Sequence, residues 1–135
     1  METTLNRIYI TATDLEVLSS VLGKAAASDP PHIRLLRERL AEAEVVPTDG
    51  IPAGVIGLGS EFRIRDMDTG QTMDYTLVLP KDARLERGYV SVVAPIGAQL
   101  LGAREDQIIT FKTPSSSRRL KVGSVASNQF SMINA

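Results

Sequence analysis

The chain has no cysteine and no tryptophan. Without thiols it has no disulfide, no thiolate nucleophile and no cysteine-based metal site. Aromatic residues are scarce, three Tyr and three Phe in 135 residues, so the core is expected to be aliphatic. Net charge is close to zero: 15 Lys and Arg against 16 Asp and Glu. Broad nucleic-acid binding needs a clear basic excess, which is missing, and no sequence-specific nucleic-acid contact is expected. No apolar run reaches membrane-spanning length. The first ten residues, METTLNRIYI, lack the long apolar stretch of a signal peptide. A cytoplasmic protein with no membrane partner is expected.

What is present falls into two halves of different period. In residues 13–45 the period is helical. Thr13 followed by Glu16 has the form of a capping box, and Leu15, Leu18, Leu22 and Ala25 recur on one stripe. After "SDPPH", with Asp29 as a candidate N-cap and Pro30 as the first helical residue, a second stripe runs through Ile33, Leu36, Leu40 and Ala43. The opposite face, Arg34, Arg37, Glu38, Arg39 and Glu42, reads as solvated. Two stripes across a short turn predict an antiparallel helical hairpin over residues 1–46, packed partly against the other half. Each helix has about 13 residues, which makes an arm about 20 Å long. Asp29 and His32 sit at its expected tip.

"VVPTDGIPAG" (45–54) reads as a linker. From Val55 the period becomes two. Strands are expected in "EFRIRD", "TMDYTLVLP", "YVSVV", "QIITFKT" and "RRLKVGSVA", forming a mostly antiparallel sheet across residues 53–135. Between the third and fourth strands lies "VSVVAPIGAQLLG", residues 90–102. Pro95 can open a helix there, and Gly102 can close it as a left-handed residue. Ile96, Leu100 and Leu101 would then cover the sheet, with Ser91, Val93, Pro95 and Ile96 at its corner. The tail carries Phe130, Met132 and Ile133 and reads as a docked last segment.

This order of elements resembles the C-terminal domain of the GreA/GreB transcript cleavage factors. The resemblance rests on Ser91 to Pro95 at a strand end, the helix closing on Leu101-Gly102, the acidic turn Glu105-Asp106 and the pair Thr113-Pro114, within residues 53–126. In length and layout, residues 5–130 resemble the related family of regulators of nucleoside diphosphate kinase, Rnk. The resemblance implies an α+β fold: a short helical hairpin followed by an FKBP-like antiparallel sheet with one short helix. It also implies an RNA polymerase partner, met at the rim of the secondary channel. The family's contact residues correspond by position to Ser91, Val93 and Pro95. Val93 stands where the cleavage factors carry Asp, and Rnk-like proteins lack that acid too. Regulation of nucleoside diphosphate kinase, direct or indirect, is implied by the resemblance alone.

Cleavage factors bring clustered carboxylates on a long arm to the polymerase's metal site, because a loosely held divalent cation needs charged oxygen ligands. The tip "KAAASDPPH" offers only Asp29, on short helices. The resemblance, taken with this tip, therefore implies polymerase binding without cleavage, and no catalytic, cofactor or metal site is expected in the chain itself. An FKBP-like prolyl isomerase is the alternative, though only Phe62, Tyr75, Tyr89, Phe111 and Phe130 could line its pocket. His32 lacks a partner base for phosphotransfer. Gly54, Gly57 and Gly59 lead into a strand rather than a helix, unlike a phosphate loop. Lys112, Arg118, Arg119 and Lys121 read as a solvated sheet edge. Asp66, Asp68, Asp74, Glu105 and Asp106 have turn chemistry rather than metal-site spacing.

Overall fold

A computed structural model describes residues 7–126. Strand β1 (Tyr9–Thr11) runs straight into helix α1 (Ala12–Leu22). The cap is Thr11 rather than Thr13: its Oγ1 accepts the Asp14 backbone N–H at 3.1 Å. The chain is still extended at Thr11, so the hydroxyl that meets the first free N–H groups lies two residues earlier than expected. Gly23, at φ 63°, ends α1 and returns its N–H to the Ser19 carbonyl. Helix α2 (Pro31–Ala41) begins one residue later than expected. A residue before proline avoids helical geometry, so Pro30 stays extended (ψ 153°) and Pro31 takes the first helical position. Asp29 is therefore not the N-cap.

Strand β2 (Glu44–Val46) follows and pairs in parallel with β1, Ile10 opposite Val45. The expected linker thus begins as a strand. The antiparallel hairpin is not what organises the two helices, because α2 packs against a helix of the sheet half more extensively than against α1. The reason lies in burial. Leu18 of α1 and Leu36 and Leu40 of α2 share one core with Ile56, Ile64, Leu77, Leu100, Leu101 and Ile109. A stripe that can bury itself on a large sheet does so in preference to a second short helix.

That sheet comprises β3 (Glu61–Asp66), β4 (Thr72–Val78), β5 (Tyr89–Ser91), β6 (Ile108–Thr113) and β7 (Ser116–Ala126), in the order β5-β4-β3-β7-β6. In β3, Phe62, Ile64 and Asp66 point inward while Glu61, Arg63 and Arg65 point out, as the alternation requires. One pairing departs from the antiparallel expectation. β5 lies parallel to β4, Thr76 opposite Tyr89 and Val78 opposite Ser91. The connection 79–88 makes this possible, folding through two 3₁₀ turns, Pro80–Asp82 and Leu85–Arg87, to bring the chain back to the strand's beginning. Between β5 and β6 lies α3 (Pro95–Leu100), which covers the sheet as expected. Gly102, at φ 89°, turns the chain away from it. The core is aliphatic apart from Phe62. The tail with Phe130, Met132 and Ile133 lies outside the described residues.

Candidate functional site: the proline corner

β5 stops for local reasons. Ala94 precedes a proline and is held extended (ψ 153°), and Pro95 fixes the next φ at a helical value. The turn between strand and helix is tied by two bonds. The Val93 N–H donates to Ser91 Oγ at 3.2 Å, and the Ala94 N–H donates to the Ser91 carbonyl at 3.1 Å. Val90 and Val92 are buried, while Ser91, Val93 and Ile96 are half-buried and Pro95 is exposed. The four residues singled out from sequence therefore form one continuous corner at the molecular surface.

Gly97 sets how closely α3 can sit on the strand end. A Cβ there would run into the Ser91 carbonyl oxygen and come 3.1 Å from Val92 Cα. Backbone cannot step aside as a flexible side chain can, so only glycine permits this approach.

The two residues expected at a projecting tip are both engaged. Asp29 closes the α1–α2 turn: its carboxylate accepts the Ala26 N–H at 3.0 Å and the Arg37 Nε at 3.2 Å. These partners, the Ala26 N–H foremost, hold its pKa below the usual carboxylate value. His32 Nε2 lies 3.0 Å from the Val93 carbonyl, so it belongs to the corner. A carbonyl only accepts, which requires Nε2 to carry the proton.

All three arginines of the expected solvated face are also committed, Arg34 to the Asp29 carbonyl at 2.7 Å. Arg37 donates to the carbonyls of Leu22, Gly23 and Lys24 at the end of α1. Arg39 donates to those of Ala98 and Leu101, at 2.9 and 2.6 Å, around the end of α3. Burial lowers the Arg39 pKa from its usual value. Helix ends carry unsatisfied carbonyls and partial negative charge, and a guanidinium fork matches both. Sequence reasoning missed the roles of Arg37 and Arg39 because the recipient carbonyls are distant in the chain.

Beneath the corner, the concave face of the sheet forms a groove of about 710 Å³. Ser91, Ile96, Leu100, Tyr75, Tyr89 and Phe111 are among the residues that line it. Leu85, 78% exposed, stands at its rim. Ser91 and Ile96 thus belong to both corner and groove.

The basic residues on β7 are largely neutralised. Arg118 pairs with Asp66, Arg119 with Asp68 at 3.3 Å and Lys121 with Asp106 at 4.0 Å. Asp66 is only 3% exposed and also accepts the N–H groups of Asp68 and Thr69 through Oδ1. The Asp68 N–H and then the Arg118 guanidinium hold its pKa below the ordinary value of about 3.9. A depressed carboxylate stabilises the fold above its unfolded pKa and loses that contribution as pH falls through the folded one. Wild type should therefore lose thermal stability below about pH 4. Asp66→Asn keeps an acceptor for the two N–H groups and should show a shallower decline; parallel slopes in melts from pH 6 to 2.5 would refute this. Among the described residues, no group of three or more His, Asp or Glu is placed to hold a metal ion. None of the described helices is long and apolar enough to cross a membrane.

Residues 51–127 match the family model "Transcription elongation factor, GreA/GreB, C-term". Among curated proteins, the chain is 33% identical over 91 residues to the transcription elongation factor GreA of Syntrophobacter fumaroxidans, covering 67% of this chain and 58% of the relative. It is 34% identical over 99 residues to that of Chloroflexus aggregans, covering 73% and 63%. The chain thus spans about three fifths of the length of the curated relatives it matches. Among solved structures, the prokaryotic transcription elongation factor GreA/GreB from Nitrosomonas europaea superposes with a TM-score of 0.76 at 30% identity, covering 89% of this chain and 98% of that one. Gfh1 of Thermus aquaticus shares the fold, with a TM-score of 0.52 at 20% identity over 90% of this chain and 99% of that one.

Proposed function

The chain belongs to the GreA/GreB family of transcription elongation factors through its C-terminal domain, and from that premise we propose that it is a regulator that binds RNA polymerase at the secondary-channel rim without stimulating transcript cleavage. It docks through Ser91, Val93, Pro95 and Ile96, and by occupying the rim it competes with longer Gre-type factors. Within the family it is read as Rnk-like, with a two-helix N-terminal unit (1–46) in place of a long arm and a Gre-type unit from residue 53. Any effect on nucleoside diphosphate kinase belongs to that finer reading.

The observation that carries the proposal is the state of the α1–α2 turn. Its one acid, Asp29, is already bound to the Ala26 N–H and Arg37. A cation shared with the polymerase site needs clustered, available carboxylates, and this turn supplies none. Length argues the same way: helices of 11 residues extend about 16 Å each. The second support is the corner itself, with Pro95 exposed at a strand end whose Ser91 and Ile96 remain half-open. The isomerase reading draws no support from these relatives, which are named as elongation factors.

The test is a cleavage assay on stalled polymerase. The chain alone should leave the transcript uncut, and added in excess it should suppress cleavage stimulated by a GreA-type factor. Strong stimulation by the chain alone would overturn the proposal.

A further inference from the structure

We propose that α2 is a brace for the docking corner, with His32 and Arg39 as its positioning residues. This inference rests on the docking role given to the corner above. Four observations converge on it. His32, in the first turn of α2, bonds the Val93 carbonyl at 3.0 Å. Arg39, two turns further along the same face, bonds the Ala98 and Leu101 carbonyls. The two helices therefore lie side by side in the same direction, and the segment from Val93 to Leu101 is held at both ends from outside. The third observation is that α3 cannot hold itself. It is six residues long, its N-cap is Ala94 and it has no side-chain cap. Helices this short are not stable by themselves. Fourth, Leu36 lies between His32 and Arg39 in the sequence of α2 and is fully buried in the shared core, so the brace is anchored.

The physical consequence concerns the corner's geometry more than its existence. Gly97 lets α3 approach the strand, and within the corner the N–H groups of Val93 and Ala94 are tied to Ser91 while the Ala94 carbonyl accepts the Ala98 N–H at 2.9 Å. The bond from His32 removes the alternative in which the Val93 peptide rotates and carries Pro95 away from its place beside Ser91 and Ile96. A surface that is competent for only part of the time binds more weakly in proportion. The N-terminal helices then have a role in this short chain that needs no reach into the polymerase: they fix the surface that the sheet half presents.

The experiment compares full-length wild type, His32→Leu, His32→Gln and Arg39→Met. It reads affinity for core polymerase, amide hydrogen exchange at residues 93–98 and the melting temperature. Glutamine can donate a side-chain N–H to the same carbonyl, whereas leucine cannot. His32→Leu should weaken polymerase binding about fivefold and speed exchange at the corner about tenfold, with little change in melting temperature. His32→Gln should restore both to within about twofold of wild type. Arg39→Met removes the bonds to the Ala98 and Leu101 carbonyls and tests the far end of the brace; if it does not fold, the His32 pair still decides. Corner exchange in His32→Leu equal to wild type overturns the brace, as does equal loss in His32→Leu and His32→Gln. Failure of the docking reading would look different: wild type would not bind polymerase, while exchange would still report whether the brace exists.

Discussion

Gly97→Ala is expected to lower the melting temperature by about 7 °C, against the direction that helix propensity alone would give. Inside a helix, alanine is better than glycine by about 1 kcal/mol, and Gly97 lies within α3. Propensity acting alone would therefore raise stability. The added methyl group, however, meets the Ser91 carbonyl oxygen and Val92 Cα, both backbone. Overpacking of this kind costs about 3 kcal/mol or more, because strand and helix must separate. The steric cost exceeds the propensity gain, so the net effect is a loss, and for a chain of this length about 2 kcal/mol corresponds to roughly 7 °C. Separation also strips Leu100 and Leu101 of some of their burial, so the same variant should show faster amide exchange along α3. Thermal denaturation followed by circular dichroism checks the prediction. An unchanged or higher melting temperature would mean that α3 does not sit this close to β5.

This example also shows which parts of the structure can be read from sequence. β3 and the outer part of β4 are legible because one face of each is buried and the other solvated, so inward and outward residues alternate. The corner is legible because its geometry is imposed locally: a proline stops the strand and opens a helix, and Gly102 closes that helix. Where partners are distant in the chain, the sequence is mute. β1 and β2 are three residues each and pair across the whole two-helix segment, so neither has a periodicity to detect. The parallel register of β5 on β4 is decided by how the connection 79–88 folds, which composition does not encode. Arg37 and Arg39 look like members of a charged outer face until the ends of α1 and α3 are known, and then each has carbonyls to satisfy. His32 likewise reads in sequence as part of a tip, and only tertiary packing brings it to Val93.

The docking claim makes its largest prediction at Pro95. Pro95→Asp should fold like wild type while binding polymerase at least about thirtyfold more weakly. The side chain is exposed, so no core packing is lost. The position is the first of a helix, where a carboxylate is favoured by the free N–H groups of the opening turn, and the fixed φ of proline is one that aspartate readily adopts. Stability should therefore change by no more than about 0.5 kcal/mol. In a docked interface, the same carboxylate would be stripped of water among Ser91, Val93 and Ile96, none of which carries a positive charge. Burying an unpaired charge costs at least about 2 kcal/mol, the equivalent of thirtyfold in affinity. The direct measurement is a titration of fluorescently labelled chain with core RNA polymerase, wild type beside Pro95→Asp, with melting curves for both. Saturable binding by wild type and its near-loss in an equally stable variant is the expected result; equal binding by the two, or none by wild type, would contradict the account.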